Sequence, residues 1–161
     1  MNLNFEIARE LMVLNQLKPN KISDQNILNI FQYTPKENFL PKNLRNFCYS
    51  DNNLNLFENR GYLKNLHLAQ IIKYAEIDKN EKVMHIGGLT GYLSLIIAKL
   101  CHHIIVIEEN ENLIEQLKNN FNKNNILNSE IIKSKLNEGY NIEAPYDLII
   151  VDSPAYYFNN K

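Results

Sequence analysis

The sequence predicts an α/β fold, a doubly wound parallel sheet preceded by helices. Three observations carry that expectation. After residue 80, short apolar runs alternate with stretches of helical periodicity, the pattern of strands joined by crossover helices. Three of the five glycines (Gly87, Gly88, Gly91) fall in one turn between the first such strand and its helix. Finally, 161 residues with 45% hydrophobic and 22% charged content suit one globular domain with one core, so a site is sought within it rather than at a domain junction.

Taken in order, Phe5, Ala8, Leu11 and Met12, then Asn15 and Gln16, follow helical spacing, and Ser23-Asp24 offers an N-cap to a second helix carrying Ile27, Leu28, Ile30 and Phe31. Two helices therefore precede Pro35. From Pro41 to about Arg60 the periodicity is broken around Ser50-Asp51-Asn52-Asn53, which predicts a long loop able to cover a site. Leu66, Ala69, Gln70, Ile71 and Tyr74 mark a helix from near Leu63 to before Asp78. Strands follow at 83–86, 104–107, 130–133 and 148–151, with helices at 92–100 and 113–121 between the first three.

Composition excludes several function classes. Seventeen basic residues against eighteen acidic give a net charge of -1 and a pI near 6.4, so no broad basic footprint faces a nucleic acid backbone. The N-terminus lacks a basic leader with an apolar run, and the apolar stretch from Leu93 to Leu100 is too short to cross a bilayer. Cys48 and Cys101 form no CxxC pair and read as reduced, buried thiols in a cytoplasmic protein. Cys101-His102-His103 has no second ligand pair at zinc spacing, and no metal is expected.

The chemistry is sought at the glycine turn, 83–92, where backbone turns tightly and approaches a ligand closely. About twenty residues on, the next strand ends at Glu108, whose carboxylate at such a position accepts hydrogen bonds from ribose hydroxyls. Together they predict a ribose-bearing cofactor on Gly87, Gly88, Thr90, Gly91 and Glu108.

Several ordered segments resemble the protein-L-isoaspartate O-methyltransferase family. They are the turn Gly87 to Tyr92, the segments 8–17, 22–28 and 34–41, Tyr49-Ser50-Asp51, and Ala144-Pro145-Tyr146-Asp147. The resemblance covers nearly the whole chain. It implies a Rossmann-like class I methyltransferase sheet of spatial order 3-2-1-4, S-adenosylmethionine as cofactor, and carboxyl methylation of L-isoaspartyl residues in damaged proteins, a repair reaction. The partner implied is an isoaspartyl peptide or protein, with no nucleic acid and no membrane.

Departures from the family pattern fall within the site. His85 stands where an acidic residue usually closes the first strand, and Leu89 replaces the central glycine of the turn, with a side chain that obstructs close approach if the position needs a positive φ. Leu63 occupies the catalytic serine position and cannot hydrogen-bond a carboxylate; Arg60 is a candidate substitute anchor, or a surface charge. Ser134-Lys135-Leu136 lacks the acidic residue that meets adenine in many relatives. Asp152-Ser153-Pro154-Ala155-Tyr156 is similar to an amino-methyltransferase motif but is off by a residue, and reads as a turn.

The expected organisation is one C-terminally incomplete domain over 1–161, with a helical segment and substrate loop over 1–62 and a cofactor-binding core over 63–161. Its last strand, Leu148 to Val151, is expected to be an exposed edge prone to self-association. The alternative to an enzyme is a catalytically silent remnant or binding module of the same fold, favoured by Leu63, Leu89, His85 and the shortened C-terminus.

Overall fold

The computed structural model describes residues 4–152. Asn4 caps α1 (Phe5–Met12), its side chain accepting from the backbone N–H groups of Glu6 and Ile7. The helix continues through a wider turn, Val13–Leu17, and a tight one, Lys18–Asn20. Asp24 caps α2 (Gln25–Tyr33) as its position in the sequence predicts. Met12, Val13, Leu17, Leu28 and Phe31 are buried, whereas Leu11 faces outward, so the apolar stripe of α1 is narrower than its spacing implies.

The expected loop from Pro41 to Arg60 is more ordered than its composition suggests. It holds a one-turn helix α3 (Lys42–Arg45) and the first strand of a hairpin, β1 (Leu54–Phe57), which pairs antiparallel with β2 (Arg60–Tyr62). Phe57 faces Arg60 across a two-residue turn in which Glu58 takes a left-handed φ of 50°. Strands of four and three residues leave too little alternation to stand out, yet Leu54 and Tyr62 are buried partners across the pair.

Helix α4 (Asn65–Ala75) ends at Glu76 in a left-handed C-cap. The main sheet then forms from β3 (Lys82–Ile86), β4 (His103–Glu108), β5 (Ser129–Lys133) and β6 (Leu148–Val151), in the order β5-β4-β3-β6 with every pair parallel. This is the expected 3-2-1-4 arrangement. Between the strands lie α5 (Tyr92–Ala98) and α6 (Glu111–Lys123).

One sheet face, with Val83, Ile104, Val106 and Ile150, packs into the principal core with α4, α5, α6 and the N-terminal segment. The other face carries Met84, Ile86, Ile105 and Ile107 against Leu136, Tyr140 and Tyr146 of the β5–β6 connection. That connection contains only a tight turn, Asn141–Glu143, so the described helices all serve one face. Because β3 leads to β4 on one side and borders β6 on the other, a crevice opens at the carboxyl ends of these strands, near Ile86, Glu108 and Asp152.

The hairpin leans over that crevice through a glycine. A Cβ at Gly61 would lie 1.8 Å from the Leu54 carbonyl oxygen, a backbone atom that cannot yield without breaking the strand pair. Gly61→Ala is therefore expected to destabilise the protein by about 1 to 3 kcal/mol, read as a lower denaturant midpoint. An unchanged midpoint would show that the hairpin is not held in this register.

Candidate functional site

The glycine turn folds back over β4. The backbone N–H groups of Gly87 and Gly88 both donate to the Ile107 carbonyl, at 3.0 and 3.2 Å, and Gly87 and Gly91 adopt φ of 95° and 94°. Leu89 takes a φ of 49°, so the position does require the left-handed conformation that favours glycine. Its side chain enters the principal core and is 1% exposed. Burial of a leucine contributes about 1.5 to 3 kcal/mol, against roughly 1 to 2 kcal/mol for the backbone, so the leucine is tolerated. Gly88 is a packing residue, since a Cβ there would meet Val106 Cγ1 at 2.5 Å and Leu117 Cδ1 at 2.7 Å.

Glu108 ends β4 with its side chain fully buried. Arg60 Nη1 and Nη2 grip its two oxygens in a fork, each at 2.8 Å, and the backbone N–H groups of Leu89, Glu109 and Asn110 donate to the same carboxylate. Burial by itself raises the carboxyl pKa, but the fork and the N–H groups of Asn110 and Leu89 outweigh it and hold Glu108 below its ordinary value. The expected surface or substrate-facing Arg60 thus lies against Glu108, with its side chain 12% exposed. Sequence reasoning assigned these two residues to separate ligands and missed their pairing.

This fork gives a test of fit for the implied cofactor. A vicinal diol presents two O–H donors side by side, as the guanidinium presents two N–H donors, so a ribose matches Glu108 if Arg60 gives way. The site therefore suits a ribose-bearing group through exchange of one pair of donors for another.

Thr90 faces the hairpin. Its Oγ1 donates to the Phe39 carbonyl at 2.6 Å and lies 2.7 Å from the Tyr62 hydroxyl, which also accepts from the Tyr92 N–H at 3.1 Å. Next to them, the fully buried Lys36 reaches the Leu63 carbonyl at 3.3 Å and Asn65 Oδ1 at 2.9 Å, with its ammonium over the rings of Tyr62 and Tyr92. Burial lowers its pKa to about 7. Lys36 therefore holds the backbone on which Leu63 sits, a positioning role the sequence did not disclose beyond its place in the segment 34–41.

The N-terminal segments that carry the family resemblance converge nearby. Arg9 Nη1 donates to Glu37 Oε1 at 2.8 Å and to the Tyr49 hydroxyl at 3.2 Å; that hydroxyl donates to Glu37 Oε2 and accepts from the Lys36 N–H. One buried polar network thus joins three stretches far apart in sequence.

His85 Nδ1 lies 2.8 Å from Ser94 Oγ, and its Nε2 is buried without a partner among the described residues. Burial lowers its pKa to about 4, so it is neutral near pH 7 and does not replace the charge of an acidic residue. Asp152, at the end of β6, is 7% exposed, with its pKa raised by burial to about 6 against the opposing charges of Lys36 and Arg60. The sequence motif reads it as part of a turn; Ser153 to Tyr156 of that motif lie outside the described residues. Arg60, Leu63 and Asp152 line one cavity of about 490 Å³ with Asn53, Asn55 and Asn59. Among the described residues no group of three or more His, Cys, Asp or Glu side chains comes together to hold a metal ion.

Removing Arg60 strands a buried carboxylate, and Arg60→Ala is expected to lower stability at pH 7 by about 3 kcal/mol. Because the folded pKa of Glu108 lies below its ordinary 4.5, its contribution is present above that pH and is lost as pH falls through the lower folded value. Chemical denaturation stepped from pH 7 to well below pH 4 checks this: the variant should show a smaller acid-side decline than the unmodified chain. Equal stability of the two proteins at pH 7 would remove the fork from the stabilising contacts.

Comparison with known proteins agrees with the fold and the segment pattern. Residues 8–157 match the family model of protein-L-isoaspartate(D-aspartate) O-methyltransferase. The chain is 28% identical over 147 residues to the protein-L-isoaspartate O-methyltransferase of Methanoculleus marisnigri, covering 91% of this chain and 67% of that protein. It is 29% identical over 154 residues to that of Petrotoga mobilis, covering 95% and 72%. A solved protein-L-isoaspartate O-methyltransferase superposes with a TM-score of 0.73 at 25% identity, over 89% of this chain but 47% of that one. A Plasmodium falciparum structure, described as a putative protein-L-isoaspartate O-methyltransferase in complex with S-adenosyl-L-homocysteine, shares the fold with a TM-score of 0.75 at 16% identity, over 98% and 77%. The match extends over both the N-terminal segments and the sheet, and the chain belongs to the protein-L-isoaspartate O-methyltransferase family.

Proposed function

We propose that this protein transfers a methyl group from S-adenosylmethionine to the carboxylate of L-isoaspartyl residues in damaged proteins. The observation that carries the reading is the family match over residues 8–157, which embraces the N-terminal segments, the hairpin and the crevice at the ends of β3, β4 and β6. Residues 1–62 would supply the helical cover and the hairpin, and 63–161 the cofactor-binding core. A cytoplasmic location accords with two cysteines that are buried and unpaired.

In this reading Glu108 takes the ribose hydroxyls, while Gly87 and Gly91 keep the turn close against the cofactor. The cofactor supplies an electrophilic methyl on a sulfonium. An isoaspartyl carboxylate is already ionised near pH 7, so the protein need not remove a proton; its work is alignment. Leu63 cannot orient that carboxylate, but Arg60, once displaced from Glu108, is a bidentate donor already lining the cavity. Cofactor binding and release of Arg60 are then a single exchange. The rival reading, a silent binding module, rests on Leu63, Leu89 and His85.

The direct test is transfer of tritiated methyl from S-adenosylmethionine to an isoaspartyl peptide, with the normal aspartyl peptide as control. Transfer to the first alone is expected; binding of S-adenosylhomocysteine without any transfer would establish the binding module instead. In calorimetry, Glu108→Gln should weaken S-adenosylhomocysteine about tenfold or more while Glu109→Gln does not. Arg60→Gln should tighten it, because no fork has to be broken first.

Self-association through β6 is a further part of this proposal. Among the described residues β6 borders the sheet, with Ile149 51% and Val151 43% exposed. Sedimentation should show concentration-dependent association that Val151→Lys reduces; a monomer at all micromolar concentrations would remove the idea.

A further inference from the structure

Among the described residues, two polar atoms beside the cavity under the hairpin are buried and unpartnered, Asp152 Oδ2 and Arg60 Nε. A buried group without a partner costs free energy, so each one calls for an explanation, and one beside a cavity is naturally completed by what enters it. The two residues carry opposite charges, yet they form no ion pair with one another, since the terminal nitrogens of Arg60 go to Glu108. They therefore stand as an acceptor and a donor awaiting a ligand that offers the reverse pair.

The position of the cavity selects the ligand. Its lining comes from the hairpin and the end of β6 (Asn53 to Asn55, Asn59 to Leu63, Val151 and Asp152), and none of Gly87 to Gly91 contributes to it. The occupant thus belongs to the side facing Leu63 rather than to the glycine turn. In an isoaspartyl residue the free carboxylate and the amide nitrogen sit on one carbon, so a hydrogen-bond acceptor and an N–H donor are presented side by side.

We infer that Asp152 is a substrate-positioning residue that accepts a hydrogen bond from the amide N–H of the isoaspartyl residue, while the Arg60 guanidinium meets the carboxylate on the same carbon. Asp152 lies at the carboxyl end of β6, where its own N–H donates to the Ile86 carbonyl at 2.9 Å, so the acceptor is fixed to the sheet. Lys36 and Arg60 both oppose its charge, which offsets the repulsion between Asp152 and an incoming carboxylate. Shielding from bulk water raises what a matched partner contributes. Two-point recognition of this kind replaces the hydroxyl that Leu63 lacks, and it reads a feature that a normal aspartyl residue arranges differently, because its free carboxylate stands one carbon farther from the nitrogen.

This inference rests on the proposed methyltransferase reading, and its test separates the two. An isoaspartyl peptide and the same peptide N-methylated at the isoaspartyl amide are compared by calorimetry in the presence of S-adenosylhomocysteine, using the unmodified chain, Asp152→Asn and Asp152→Leu. N-methylation should weaken binding to the unmodified chain about tenfold or more. Asp152→Leu should bind both peptides with the same reduced affinity, and Asp152→Asn, which keeps an acceptor oxygen, should retain part of the discrimination. All three should bind S-adenosylhomocysteine alike, which also reports that they are folded. If the unmodified chain binds both peptides equally, the role of Asp152 fails while the methyltransferase reading stands. If Asp152→Leu loses S-adenosylhomocysteine but not the peptide, the carboxylate serves the cofactor and the inference is overturned. If the unmodified chain binds neither S-adenosylhomocysteine nor peptide, both readings fall together.

Discussion

The candidate site is organised by the need to satisfy one buried carboxylate. Glu108 has no exposed side-chain surface, and an ionised carboxylate in that setting is costly unless its oxygens are filled. Five donors fill them: two from Arg60 and one each from the backbone of Leu89, Glu109 and Asn110. These donors come from the hairpin, the glycine turn and the approach to α6. A single acidic group at the end of β4 thereby fixes three separate pieces of chain around the crevice.

In the proposed reading the same carboxylate is where ribose and Arg60 exchange. The backbone donors belong to the fold, but the Arg60 fork is made by a side chain on a two-stranded hairpin, an element with few ladder bonds to restrain it. A diol replaces such a fork with donors of like spacing, and the displaced guanidinium remains beside the cavity where a carboxylate substrate would enter. In the proposed reading, cofactor and substrate are coupled because the ribose takes the place of Arg60 on Glu108 and the freed guanidinium turns to the substrate carboxylate.

Several buried polar groups lie on the hairpin side of the crevice: Lys36, Tyr62, Asn65, Thr90 and Asp152. Most are saturated by hydrogen bonds and serve to hold backbone in place, as Lys36 does for the Leu63 carbonyl. Asp152 departs from that rule, and its pKa raised to about 6 records the cost. In this it differs from the hydrogen-bonded network around Arg9, Glu37 and Tyr49.

Local rules of periodicity, capping and glycine spacing are enough to establish the α/β class, the helix start at Asp24 and the turn at Gly87 to Gly91, whereas the strand order was implied by the family resemblance. The sequence singled out Leu89 as a departure that matters if the position needs a positive φ, and the structure supplied that condition. It did not find the hairpin at Leu54 to Tyr62, whose strands are too short to show a period and are held by pairing with each other and by Gly61. Nor did it find the Arg60–Glu108 fork, whose members stand 48 positions apart, or the burial of Lys36 and Asp152. Those depend on which surfaces the folded chain brings together, and no local pattern encodes the desolvation that moves a charged residue away from its ordinary protonation.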